Sequence, residues 1–127
     1  MNLLLDTHAV LWFITDDPKL PENTKNLIKD GNNLVYVSIA SYWELSIKYA
    51  LGRLDLRESL EEIYKVIGRS DFEILQISPD HLLRTAKLQH HHRDPFDRLL
   101  IGQALTEALP ILSKDGMFKK YKELEVL

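Results

Sequence analysis

The chain has no cysteine among its 127 residues. That excludes disulfides, thiolate zinc sites and cysteine nucleophiles, and is compatible with an intracellular, cytoplasmic protein. Long hydrophobic runs are missing too. No apolar segment approaches about 20 residues, so no transmembrane helix and no membrane partner are expected. The first apolar run has no basic region ahead of it and is too short for a signal peptide. There is no excess of positive charge: the formal net charge is −3, unlike the basic footprint of a general nucleic-acid binder. A nuclease remains compatible with that balance if acidic residues gather in one metal pocket with basic ones around its rim. Repeats, low-complexity tracts and linkers are absent as well, and the length suits one domain spanning 1–127.

The chain is organised around its opening stretch, Asn2-Leu3-Leu4-Leu5, which stops at Asp6 and Thr7. An apolar run ending on a carboxylate reads as a buried central strand. A short apolar helix over 8–14 follows, ended by Asp16-Asp17-Pro18. Pro21-Glu22-Asn23 opens a second helix, with proline in its first position and acid in its first turn. Leu34–Val37 is a second strand, and 38–51 a helix whose apolar stripe is Ile39, Tyr42, Trp43, Ile47 and Ala50. Further helices are expected over 58–68 and from Ser78-Pro79-Asp80 to about Leu88, with a strand over 72–77 between them. A polar loop with His90, His91, His92 and Arg93 leads to Asp94-Pro95 and a strongly apolar helix through about Leu109. A strand over 110–113, a turn near Met117-Phe118 and a last strand at Glu125-Val126 complete the chain. Alternating strands and helices predict an α/β fold, a three-layer α/β/α sandwich around a short parallel sheet.

This order brings four carboxylates to one place. Asp6 and Asp115 each follow a buried strand, at the carboxyl edge where ligands bind in open α/β sheets. Glu44 lies in the first two turns of the helix leaving the second strand. The helix carrying Asp97 joins the fourth strand through Pro110 with almost no slack, so its C-terminus lies at the amino edge. At about 1.5 Å per residue it reaches back about 18 Å, returning Asp97 to the carboxyl edge.

Each residue also has a plainer reading. Asp6 or Thr7 can cap a helix, Asp115 can cap the last turn, and Ser41/Glu44 and Asp94/Asp97 fit capping boxes. Capping does not require all four on one edge, however, and it is compatible with metal binding by the same residue. Two carboxylates about 5 Å apart repel by about 3 kcal/mol at an effective dielectric of about 20. A cluster of four therefore calls for protonation or a cation. Oxygen-only ligands suit Mg²⁺ or Mn²⁺, and the natural chemistry is attack of an activated water on a phosphodiester.

The sequence blocks Leu-Leu-Leu-Asp-Thr-His, Ser-Tyr-Trp-Glu-Leu-Ser-Ile-Lys, His-Arg-Asp-Pro-Phe-Asp-Arg-Leu-Leu-Ile-Gly-Gln-Ala and Leu-Ser-Lys-Asp occur in this order. In that order and spacing the chain resembles the PIN-domain family, and more narrowly the VapC-like toxins of toxin–antitoxin pairs. The likeness runs nearly end to end and includes Leu51-Gly52-Arg53-Leu54. It implies that Asp6, Glu44, Asp97 and Asp115 bind Mg²⁺ or Mn²⁺ and carry catalysis. The implied activity is an endoribonuclease leaving a 5′-phosphate and a 3′-hydroxyl, with RNA as substrate. An antitoxin protein in a groove beside the active site and a homodimer are implied as partners.

Other residues are second candidates. Asp94 is read as a helix cap that can also reach metal through water. Thr7 and Ser113 can orient the acidic residues or make ordinary turn hydrogen bonds. The three consecutive histidines have poor ligand spacing and read as a solvated loop, from which His92 and Arg93 can contact phosphate. Arg98, Lys48, Arg53 and Lys114 are candidate phosphate contacts or solvated charges. His8 lines the pocket or packs, and Trp12, Phe13, Tyr42 and Trp43 fit core stripes, with one of them a candidate for an exposed partner-binding surface. Two rival functions stand beside the nuclease. A receiver-type phosphoacceptor needs an early acidic pair, whereas Asp6 is followed by Thr7. A catalytically inactive binding module would not need all four acids.

Overall fold

A computed structural model describes residues 1–54 and 57–127. It contains a four-stranded parallel sheet built from β1 (Asn2–Leu5), β2 (Leu34–Ser38), β3 (Phe72–Leu75) and β4 (Ile111–Leu112), in the order β3-β2-β1-β4. Helices α1 (Thr7–Ile14), α2 (Glu22–Lys29), α3 (Ile39–Ala50), α4 (Leu60–Arg69), α5 (Pro79–Ala86) and α6 (Pro95–Glu107) flank it, and a 3₁₀ turn spans Gly116–Lys120. The three-layer α/β/α arrangement expected from the sequence is present.

Strand β1 is central because its three leucines serve both faces. Leu3 and Leu5 pack with Val35, Val37 and Leu112 against Ala9 and Val10 of α1, Leu45 of α3 and Ile63 and Ile67 of α4. Leu4 points the other way, with Ile111, toward Leu100, Ile101 and Ala104 of α6 and Phe118. This is the period-two alternation of a strand buried on both sides, as parallel sheets require. The register aligns Leu3 with Val35 and Leu5 with Leu112, so β1, β2 and β4 end at one edge. The Asp6 N–H extends that pairing to Leu112 O at 3.1 Å.

Three details depart from the sequence reading. Strand β3 stops at Leu75 and does not reach Ile77. The expected strand at Glu125-Val126 is a single parallel bridge from Val126 to Ile111. Helix α3 is rotated relative to its apparent apolar stripe: Ala40, Ser41, Glu44 and Leu45 are buried, while Trp43 is 60% exposed and Ala50 faces solvent. Trp43 is therefore the exposed aromatic rather than a core residue.

Helix α6 is fixed in height by a buried polar chain. Gln103, fully buried, accepts a hydrogen bond from Ser38 Oγ at the end of β2. Its amide donates to Gln76 O at 3.3 Å and lies 3.4 Å from His81 Nδ1. His81 Nδ1 also accepts from the Ser78 N–H at 3.0 Å, which leaves Nε2 to donate to Glu107 at 3.2 Å. Behind this chain α5 and α6 touch backbone to backbone at Gly102. A Cβ there would stand 2.0 Å from Thr85 Oγ1 and 3.0 Å from His81 O. Gly102→Ala should therefore force α5 off α6 and cost about 1–3 kcal/mol, as overpacking usually does. Thermal denaturation would read this as a lowered Tm, and Thr85→Ser should not restore it, because serine keeps the hydroxyl oxygen that stands 2.0 Å from the added Cβ and the His81 carbonyl remains in place. An unchanged Tm would mean that the two helices are not locked together.

Candidate metal centre

The carboxyl edge of the sheet carries the acidic residues, and each is held by local structure. Asp6 is the N-cap of α1: Oδ1 accepts the Ala9 N–H at 2.7 Å, and Oδ2 accepts the Ser113 hydroxyl. Ser113 Oγ in turn accepts the Asp115 N–H at 3.0 Å, so one serine fixes both strand-end acids. Asp115 also caps the 3₁₀ turn through the Met117 N–H at 2.9 Å. Asp94 caps α6, accepting from the N–H groups of Phe96 and Asp97 at 2.8 and 3.1 Å. That leaves the Asp97 carboxylate free to face inward.

Glu44 does not serve a capping box. Ser38 is the N-cap of α3, bonded to the Ala40 N–H at 3.0 Å. Ser41 is buried and shares a hydrogen bond with Thr7 at 2.9 Å, which ties α3 to α1. Thr7 thus braces a helix, and its hydroxyl has no hydrogen bond to a carboxylate among the described residues. Glu44 Oε2 pairs with Lys48 Nζ at 2.7 Å one turn away. Lys48 therefore neutralises an acidic residue from within the site.

The charges of the other three acids reach Asp97. Burial, followed by the charges of Asp94, Glu44, Asp6 and Asp115, pushes the Asp97 carboxyl from about 3.8 up to about 7. Burial also raises Asp6, against the opposing hydrogen bonds from Ser113 and Ala9. Glu44 Oε1 is buried and has no hydrogen-bond partner among the described residues. A buried polar oxygen without a hydrogen bond is costly, and a divalent cation would satisfy it. The all-oxygen set of Asp6, Glu44, Asp97 and Asp115 fits Mg²⁺ or Mn²⁺ on these grounds.

The neighbouring candidates separate. His92 does not lie in a solvated loop: it is 6% exposed, while His90 and Arg93 face solvent. Its Nε2 is 3.6 Å from Asp115 Oδ2 and 4.0 Å from Asp97 Oδ2. Arg98 is engaged elsewhere. Its guanidinium donates to the carbonyls of Thr85, Leu88 and Gln89 at 3.0–3.3 Å, capping the end of α5. Lys114 donates to Lys19 O at 3.0 Å and lies over the Trp12 ring. His8 is exposed and packs its ring on Trp12.

The raised carboxyls set a pH dependence. A folded-state pKa above the unfolded value means that the folded chain holds its proton more tightly. The stabilisation is complete below about 3.8 and is lost as pH rises through about 7. In EDTA, the Tm should fall by a few degrees between pH 5 and pH 8, and Asp97→Asn should flatten that slope. A wild-type Tm that rises over this range would show that the acids are not mutually repelling.

No helix of the described residues is long and apolar enough to cross a membrane. No curated protein sequence matches the chain. Solved structures with a similar fold include VapBC2 from Rickettsia felis bound to a promoter DNA fragment, at TM-score 0.75 and 19% identity, covering 100% of this chain and 98% of that one. DNA-bound VapBC from Salmonella typhimurium aligns at TM-score 0.73 and 17% identity, covering 100% and 97%. A toxin–antitoxin complex from Klebsiella pneumoniae aligns at 0.67 and 16%, covering 98% and 95%. The sequence itself matches the PIN domain description over residues 3–124, nearly its whole length, and the chain belongs to the PIN domain family.

Proposed function

We propose that the chain, a single PIN domain over 1–127, is a Mg²⁺- or Mn²⁺-dependent endoribonuclease and the toxin of a toxin–antitoxin pair, acting in the cytoplasm. The observation that carries this reading is the placement of Asp97 within reach of Glu44, Asp6 and Asp115, whose charges, after burial and the charge of Asp94, push its carboxyl up to about 7. In this reading Asp6, Glu44, Asp97 and Asp115 hold the metal. When bound, the ion lowers the pKa of a water and neutralises charge on the scissile phosphate. Ser113 orients Asp6 and the Asp115 backbone, and Lys48 holds the buried Glu44 side chain in place through Oε2. Cleavage leaves a 5′-phosphate and a 3′-hydroxyl.

Three surfaces support the partners. A groove lined by Arg84, Lys87, His91, Lys120 and Lys122 runs beside Tyr121, whose ring stacks on His92. Lysines there suit the backbone of a single-stranded RNA approaching the acids. A second groove, between α1 and α4, offers Leu11, Trp12, Ile14, Ile63 and Val66 to an antitoxin segment. The similar structures include one described as a toxin–antitoxin complex, which favours such a partner. Leu82 and Leu83 on α5, 52% and 59% exposed, give a second copy an apolar patch for a homodimer.

Cleavage and unfolding together test the metal centre. The purified chain should cut single-stranded RNA with Mg²⁺ or Mn²⁺ and stop in EDTA. Asp6→Asn or Glu44→Gln should lower the rate by at least about 100-fold, about 2.7 kcal/mol of transition-state stabilisation. Metal at about 100 times its Kd should stabilise wild type by about 2.7 kcal/mol, and Asp6→Asn far less. Intact RNA together with a metal-insensitive Tm would favour an inactive binding module. For the dimer, light scattering should give twice the mass of one chain, and Leu83→Glu should give one. A monomeric wild type would end that part of the reading.

A further inference from the structure

We propose that His92 is a nitrogen ligand at the Asp97–Asp115 end of the carboxylate pocket, which makes this a mixed nitrogen–oxygen site selective for Mn²⁺ over Mg²⁺. The inference rests on the metal-centre reading above and adds a donor to it. It comes from a buried group with nothing to bind. The His92 side chain is 5% exposed, and neither Nδ1 nor Nε2 has a hydrogen-bond partner among the described residues. Unpaired buried polar atoms are uncommon in folded proteins, and each calls for an explanation.

The ring is also aimed. It stacks on Tyr121, with centroids 5.6 Å apart and planes 16° apart, and lies against Phe118 at 5.1 Å. The backbone N–H of His92 donates to the Tyr121 hydroxyl at 3.1 Å, which pins the loop to the same aromatic residue. Held in this way, Nε2 faces Asp115 Oδ2 at 3.6 Å and Asp97 Oδ2 at 4.0 Å. Those gaps exceed a hydrogen bond. Donors around one ion with bonds of about 2.1 Å stand about 3.0–3.5 Å apart. Closing the two His92 gaps to that spacing takes about 0.1–1.0 Å, and one donor atom from each of the three groups already lies within 4.8 Å of the others.

Selectivity follows from the donor type. Mg²⁺ takes oxygen ligands and keeps its waters. Imidazole adds affinity for divalent transition metals, for which nitrogen is a good donor. A site closed by Asp97, Asp115 and His92 gains little for Mg²⁺ and more for Mn²⁺, while Asp6 and Glu44 remain oxygen donors for either ion.

Pulsed EPR of Mn²⁺ bound to the full chain tests this without measuring activity. The expected spectrum shows nitrogen coupling from a directly bound imidazole. That coupling should change from the ¹⁴N to the ¹⁵N pattern in wild-type protein labelled with ¹⁵N-histidine, a comparison that needs no variant. His92→Gln should abolish it, weaken Mn²⁺ binding by at least about tenfold and move Mg²⁺ binding by less than about threefold. Bound Mn²⁺ with no nitrogen coupling in wild type would overturn the proposal, as would coupling that survives in a folded His92→Gln. A free-Mn²⁺ signal that the protein leaves unchanged would overturn the metal centre itself, and this inference with it. The two failures are thus read separately.

Discussion

Repulsion among carboxylates at one end of the sheet is the force the rest of the structure is arranged to withstand. Parallel strands joined by crossover helices end on the same side, and the chain sets Asp6 and Asp115 just past two of those ends. Left alone, such groups would move apart or protonate. Here they do neither freely. Asp6 is fixed by the Ala9 N–H and Ser113, Asp115 by Ser113 and its own turn, and Glu44 by Lys48. Asp97 answers to both burial and charge: desolvation first, then the charges of Asp94, Glu44, Asp6 and Asp115, push its carboxyl up to about 7.

Holding Asp97 in that position is the task of α6, which is why its surroundings are so tightly specified. Asp94 starts the helix and the Gln103 chain sets its height against β2 and α5. Gly102 lets α5 lie directly on it, while Arg98 ties the end of α5 back to its first turns. At its far end Ala108 adopts a left-handed conformation, φ 54°, ψ 44°, which stops the helix within two residues of Pro110 and turns the chain into β4. One helix therefore carries the third acid, locks two layers together and delivers the strand that leads to the fourth acid.

Much of this was legible in the sequence, because leucine alternation, proline and glycine punctuation and acids at strand ends are local signals. Strand ends placed Asp6 and Asp115 at one edge, the start of its helix placed Glu44 there and helix length returned Asp97 to it, and the charges of the other three reach Asp97. Helix α3 was misread for a physical reason. Its buried face holds Ser41 and Glu44, so the side that faces the site looks polar and Trp43 looks like core. Apolar periodicity reports packing, and it is inverted where a helix faces a polar site. His92 could not be told from His90 and His91 by spacing. What buries it is Phe118 and Tyr121, more than 20 positions later in the chain. Arg98 likewise looked free because the carbonyls it caps belong to another helix.

The two edges of the sheet are not equivalent. On the β4 side Ile111 is bracketed from outside by the chain's own last residues: its N–H donates to Glu125 O at 2.9 Å and its carbonyl accepts the Leu127 N–H at 2.8 Å. No foreign strand can pair there without first displacing them. Strand β3 ends the sheet on the other side, with Glu73 and Ile74 exposed. Any growth of this sheet from one molecule to the next must begin at β3. Glu73 puts an exposed charge on that edge, and charged side chains on edge strands disfavour pairing with a further strand.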